Sequence, residues 1–162
     1  MSESVEIYDG DDKPLVDSIL QPPHPSAQSK EDVTFFAHPA QYSGQSCRDK
    51  IAKITALMRQ HDLSHLHVSM SEEIAWLLNL RARGQHEFDP MFNASLLLSR
   101  AGKVTLFLEA SLCDVIDRKM LEEPVDVLCD AQMALKFGEE LGRDSKVAVD
   151  SSSCSYYAYR LY

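Results

Sequence analysis

SMSEEIAWLLNLRARGQHEFDPMF, residues 69–92, is the stretch from which the rest of the chain can be placed. Ser69 is followed three residues later by Glu72, the spacing at which each side chain satisfies the other residue's backbone N–H at a helix start. Ile74, Leu77 and Leu78 then fall at i, i+3 and i+4, with Trp76 and Leu80 beside them. That spacing predicts an amphipathic helix over 69–80. Residues 79–90 break the pattern. They are polar, carry Arg81, Arg83 and His86, and end in the turn-favouring pair Asp89-Pro90. A strand-like apolar run follows from Phe92. A short buried helix that releases a charged loop and returns as a core strand is a place where function can sit.

Upstream, Ser46 and Asp49 repeat the capping spacing ahead of Cys47, Ile51, Ile54 and Met58, which mark one face of a helix reaching Gln60. Residues 63–68 read as a short strand. Downstream, 92–99 and 104–108 are apolar on successive residues and are joined by Arg100-Ala-Gly-Lys103, a hairpin signal. Strands of that composition need cover on both faces. Ser111 with Asp114 is a third capping spacing, opening a helix through Val115, Ile116 and Met120 that stops before Pro124. A strand at 125–128, a helix at 131–141 stopped by Gly142, a strand at 146–149 and a last helix at 156–162 capped from Ser151 to Ser153 complete the order. Helices alternating with short buried strands give a three-layer α/β domain: a mixed, mainly parallel sheet flanked by helices. The domain is expected over 42–162. Residues 1–41, with their Gln21-Pro-Pro-His-Pro-Ser26 segment, read as the end of a preceding domain and a linker, with Val33 to Phe36 as an extended strap.

The 162 residues carry a net charge of −9, which argues against a nucleic-acid surface and favours solubility. The apolar runs are too short for a membrane span, and the N-terminus has neither the basic nor the apolar region of a signal peptide. Cys47, Cys113, Cys129 and Cys154 form no C-x-x-C pair and read as small reduced residues of an intracellular, cytoplasmic protein.

Weighed for chemistry, most clusters have bland readings. His65 and His67 share a strand face, with His61 nearby, but no carboxylate or cysteine completes a ligand spacing. Glu72-Glu73, Glu122-Glu123 and Glu139-Glu140 read as a cap and exposed helix positions rather than acid–base pairs. Ser43 to Ser46 reads as a cap rather than an anion cradle. Asn79, Arg81, Arg83 and His86 remain. Their cations are concentrated in one loop of an acidic protein and suit a cleft or interface role. The residues alone therefore stop at a soluble α/β domain without a catalytic set.

Glu73-Ile-Ala-Trp-Leu-Leu-Asn-Leu-Arg81 followed by Asp89-Pro-Met-Phe92 resembles the Xaa-Pro aminopeptidases, in the second domain of their three-domain form. Val33 to Ser46 resembles the family's approach to that domain, Arg48 to Ile51 its first helix, and Val147 to Leu161 its end. Leu15 to Ile19 looks like the close of the first domain. The resemblance implies a creatinase/prolidase N-terminal fold and a parent peptidase that removes the residue preceding proline. It further implies two manganese ions in a pita-bread catalytic domain absent from these residues, so no catalytic, cofactor or metal residue is carried over. The implied partners are the catalytic domain of the same chain and a peptide with proline second, with no nucleic acid or membrane. A homodimer of the parent is compatible with it. The alternative is a non-catalytic peptide- or histone-binding module of the same fold. A prolidase or creatinase with one N-terminal domain fits the Pro-rich linker less well. The sequence departs from the family at Ala82 (glycine there), Phe88-Asp89 (Tyr-Asn) and Ser95 (often tyrosine), and its loop before Pro90 is one residue longer.

Overall fold

The computed structural model describes residues 33–84 and 90–162. The chain opens, within these residues, with strand β1 (Thr34–Ala37), the one-turn helix α1 (Ala40–Ser43) and helix α2 (Cys47–Gln60). Strand β2 (His65–Val68), helix α3 (Ser71–Leu78) and strand β3 (Leu80–Arg83) follow, then the hairpin β4 (Ala94–Ser99) and β5 (Val104–Leu108). The last third holds α4 (Ala110–Cys113), β6 (Val125–Cys129), α5 (Met133–Glu140), β7 (Val147–Val149) and α6 (Tyr156–Tyr159). Short 3₁₀ turns lie at Arg118–Met120 and Asp130–Gln132.

Five strands form one sheet in the order β6-β5-β4-β2-β7. The pairs β2–β7 and β5–β6 are parallel, and β2–β4 and β4–β5 antiparallel. The sheet is mixed, as expected, but parallel junctions do not prevail, because the chain returns from β3 to lay β4 antiparallel against β2. All five residues of β5 are buried, which explains the uninterrupted apolar run VTLFL. Alternation sends Leu96, Leu98, Leu106 and Leu108 into one core with α2, α3 and α4. Leu97 and Phe107 point the other way, onto Met133 and Phe137 of α5 and Ala158 of α6. Those two cores make the three layers. The hairpin turn needs Gly102, whose φ of 91° suits glycine and whose N–H donates to the Ser99 carbonyl at 2.9 Å.

Several local expectations are corrected. The polar stretch after Asn79 is not all loop: β3 pairs antiparallel with β1, Phe35 opposite Ala82 and Phe36 opposite Arg81. Val33 and Phe35 are core residues, and Phe35 meets Phe92 edge-on at 5.3 Å. The packed unit therefore reaches back to Val33, ahead of the expected start at 42. Ser46 does cap α2, its hydroxyl accepting from the Asp49 N–H at 3.1 Å. The Ser69–Glu72 box does not form: α3 begins two residues later, with Met70 in the cap position and no side-chain cap. Ser111 is not a cap either. The helix there is a single turn preceded by Glu109, and the Ser111 hydroxyl is buried without a hydrogen-bond partner. The last helix is capped by Ser155, which accepts from the Ala158 N–H, rather than from 151–153. Readings that fall on residues 1–32 and on 85–89, including His86 and Asp89, lie outside the described residues.

Candidate functional site

The residues singled out at 79–83 sit where α3 ends and β3 begins. Asn79 terminates α3 in the left-handed region (φ 51°), where asparagine is better tolerated than most side chains. Its side chain is buried. The Asn79 amide oxygen accepts from the Lys50 ammonium at 2.6 Å, and its amide nitrogen donates to the Gln45 carbonyl at 2.9 Å and to Glu122 Oε1 at 3.4 Å. Its own carbonyl accepts from the His38 N–H at 2.7 Å, fixing the approach to α1. Arg81 closes the same corner: Nη1 donates to the carbonyls of Ala75 at 2.6 Å and Leu80 at 2.8 Å, tying the end of α3 to the start of β3. Burial lowers the Arg81 pKa. Arg83 is exposed, its guanidinium 4.9 Å from the centre of the Phe36 ring. The structure thus brings Asn79 and Arg81 together at one corner and leaves Arg83 outward.

The sequence reading missed the groups that Asn79 serves. Lys50 is 1% exposed. Its ammonium donates to the Trp76 carbonyl at 2.6 Å and lies 4.6 Å from the centre of the Trp76 ring. Burial is the main cause of its lowered pKa. Glu122 was read as helical, but it lies in an irregular segment, where Oε2 accepts from the Cys47 N–H at 2.6 Å at the start of α2. The anion at this helix N-terminus is therefore the protein's own carboxylate. Burial, with help from Glu122 and Glu123, pushes the Cys47 thiol up to about 11. Glu123 pairs with Arg48 at 2.6 Å. One signal was available for Lys50: it falls within the apolar stripe of α2, between Cys47 and Ile51.

The histidines do not converge. His61 is exposed, and His65 Nδ1 meets the neighbouring Ser64 hydroxyl at 3.1 Å. His67 is 2% exposed, packed edge-on against Phe137 and beside Tyr162. Its Nε2 is 2.5 Å from the hydroxyl of Ser95, and its Nδ1 is 3.9 Å from the Cys154 sulfur. A serine beside an imidazole suggests a nucleophile and its base. Burial holds this imidazole down at about 4, however, which makes it a weak base enclosed in the core. Among the described residues no group of three or more His, Cys, Asp or Glu side chains is arranged to hold a metal ion. Their donors do not fit the two-metal centre that the resemblance implies for the parent.

Open surface lies on the flank that His67 shares with the end of α3. An apolar cleft of about 390 Å³ runs beside β2 and β7, with Ile54, Val68, Trp76 and Leu77 in its walls and Glu73 and Asp150 as its carboxylates. On α6, Tyr156, Tyr157 and Tyr159 are exposed.

This fold accords with the comparisons. The creatinase/prolidase N-terminal domain matches residues 24–162. The chain belongs to the creatinase/prolidase N-terminal domain family. A protein of Laccaria bicolor named probable Xaa-Pro aminopeptidase P is 33% identical over 139 residues, covering 83% of this chain and 21% of its own length. Xaa-Pro aminopeptidase 1 of Dictyostelium discoideum is 28% identical over 116 residues, covering 67% of this chain and 18% of its own. The chain thus spans about a fifth of the length of the curated relatives it matches. Among solved structures, an X-prolyl aminopeptidase of Caenorhabditis elegans, described as a cytosolic enzyme with a di-nuclear active site, aligns with a TM-score of 0.61 at 13% identity. That alignment covers 78% of this chain and 20% of the other. The N-terminal domain of an Xaa-Pro dipeptidase from Lactobacillus brevis aligns with a TM-score of 0.51 at 17% identity, covering 69% of this chain and 84% of the other. At those identities the structures establish the fold. Among the described residues no helix of this family member is long and apolar enough to cross a membrane.

Proposed function

We propose that this chain is the middle, non-catalytic domain of a metal-dependent, cytoplasmic Xaa-Pro aminopeptidase, and that it packs on the catalytic domain and helps to shape its cleft. The observation that carries the reading is the family match over 24–162 in a chain that spans about a fifth of the length of similar relatives bearing the Xaa-Pro aminopeptidase name. The described residues support it in two ways. Glu122, Lys50 and His67 are engaged in hydrogen bonds that hold corners of the fold. The domain also exposes apolar surface, in the three α6 tyrosines and the cleft beside β7, of the kind that a neighbouring domain covers. Arg83, projecting from the end of β3, is the charged group offered to that neighbour. Asn79 and Arg81 act indirectly, by fixing where β3 leaves the helix. In the parent the metal pair, with manganese as the expected ion, belongs to the catalytic domain, and the substrate is a peptide with proline in the second position.

The test is an assay of the full-length protein and of this chain on an Xaa-Pro peptide with manganese. The full-length protein is expected to release the N-terminal residue and to lose that activity to a chelator, while this chain releases none. Cleavage by this chain at the full-length rate would overturn the non-catalytic assignment. An inactive full-length protein lacking metal ligands would favour a peptide-binding module instead.

A further inference from the structure

Two of the four free thiols are brought together by the sheet. Cys129 ends β6, and its partner across the parallel β5–β6 pairing is Leu108. The chain leaves β5 at Leu108, turns through Glu109, and folds back in α4. Cys113 Sγ consequently lies 3.7 Å from the Leu108 carbonyl oxygen and 3.6 Å from that of Glu109. Both cysteines thus sit over the end of the same strand, 16 residues apart in sequence. Both are partly accessible to solvent, whereas Cys47 is buried. Cys154 packs in the other core, against His67.

We propose that Cys113 and Cys129 are a modification site: a dithiol that closes to an intramolecular disulfide when it meets a small disulfide oxidant of the glutathione class. One protein thiol loses its proton to solvent and attacks the oxidant's S–S bond. A mixed disulfide forms and one glutathione leaves as thiolate. The second protein thiol, deprotonated in turn, attacks the protein sulfur of that mixed disulfide and expels the second glutathione. Two protein thiols are oxidised and one glutathione disulfide is reduced to two thiols.

Closure would have a structural consequence because of what the closed loop contains. Between the two cysteines lie Glu122, which holds the first turn of α2 and Asn79, and Glu123, which holds Arg48. A covalent tie at the base of this loop restricts the freedom of the segment that delivers both carboxylates. Burial, the Cys129 thiol and the carboxylates of Asp114 and Asp130 push the Cys113 thiol up to about 11, which disfavours its thiolate and accords with the reduced state seen here.

The test is to incubate the reduced chain with oxidised glutathione and map its peptides without reduction. The expected result is a Cys113–Cys129 cross-link as the dominant product, with two fewer titratable thiols. C113S and C129S should each abolish the cross-link and leave a glutathione adduct on the remaining cysteine. Stable adducts on both cysteines of the unaltered chain without a cross-link would overturn the proposal. So would a dominant cross-link from either cysteine to Cys47 or Cys154. The mapping of the unaltered chain decides the matter even if a variant folds poorly.

Discussion

Asn79→Ala is expected to destabilise the domain by about 4 kcal/mol, the largest single-residue effect foreseen for the α3–β3 corner. Two costs combine. The backbone at 79 has a φ of 51°, where a Cβ without a local polar side chain costs roughly 1 kcal/mol. The larger share arises at Lys50, which loses one of its two hydrogen-bond acceptors while remaining enclosed. Companion variants separate these costs. Asn79→Gly keeps the left-handed turn and removes only the side chain, so it should be milder than alanine by about 1 kcal/mol. Lys50→Met removes the buried charge and keeps most of the volume, so it should lie within about 1 kcal/mol of the unaltered protein, as replacements of buried ions by apolar groups often do. In the Lys50→Met background, Asn79→Ala should then cost only the backbone share, about 1 kcal/mol. Urea unfolding of the four proteins checks this as a double-mutant cycle. If Asn79→Ala costs as much without the lysine as with it, the buried ammonium is not what Asn79 supports.

That corner also shows what a sequence can and cannot disclose. The strands β4 and β5 were legible because each is buried on both faces, and such burial leaves an apolar run that no solvent-facing segment needs. The cap at Ser46 was legible, but the identical spacing at Ser69 and Ser111 misled. The pattern names residues able to cap, whereas the place where a helix starts depends on where the preceding strand releases the chain. After β2 the backbone stays extended through Met70, so the helix begins too late for Ser69 to serve it. The strand β3 was hidden for another reason. Leu80-Arg-Ala-Arg83 does alternate buried and outward residues, yet it is only four residues long, and its weak strand propensity is overcome by pairing with β1. The polar junction was the least legible feature. Glu122 reaches the first turn of α2 from 75 residues away, and nothing local in the Glu122-Glu123 pair signals that partner. Arg81 stands out in the sequence as a cation in a polar stretch, but its guanidinium turns inward onto the carbonyls of Ala75 and Leu80, which no local pattern signals.

The second large effect is a dependence of stability on pH, and it rests on His67. The native imidazole titrates at about 4, well below the ordinary 6.5, because burial among Phe137 and Tyr162 penalises its charged form. The unfolded chain recovers the ordinary value. As pH falls below 6.5, the unfolded state takes up a proton that the native state refuses, so the native state loses relative stability. The loss accumulates down to about 4, where native His67 begins to protonate as well. Over that window it amounts to about 3 kcal/mol, from about 1.4 kcal/mol for each unit of difference between the two states. His65, also lowered mainly by burial, adds in the same direction. Carboxylates such as Asp62 and Glu140, held low by their lysine and arginine partners, contribute acid lability of their own, but only as pH falls through the range of unfolded carboxylates. A variant at 67 separates the two sources. His67→Gln keeps an amide able to meet the Ser95 hydroxyl and removes the titration. Its stability should therefore fall less steeply than that of the unaltered protein between 6.5 and about 4, the curves converging by about 3 kcal/mol, while the carboxylate contribution is common to both. Urea unfolding at a series of pH values measures the convergence, and an NMR titration of the His67 ring measures its cause. A ring that titrated near 6.5 in the folded protein would mean that water reaches the imidazole. The Phe137–Tyr162 side of the sheet would then open readily in solution, and the acid lability would have to be sought among the carboxylates.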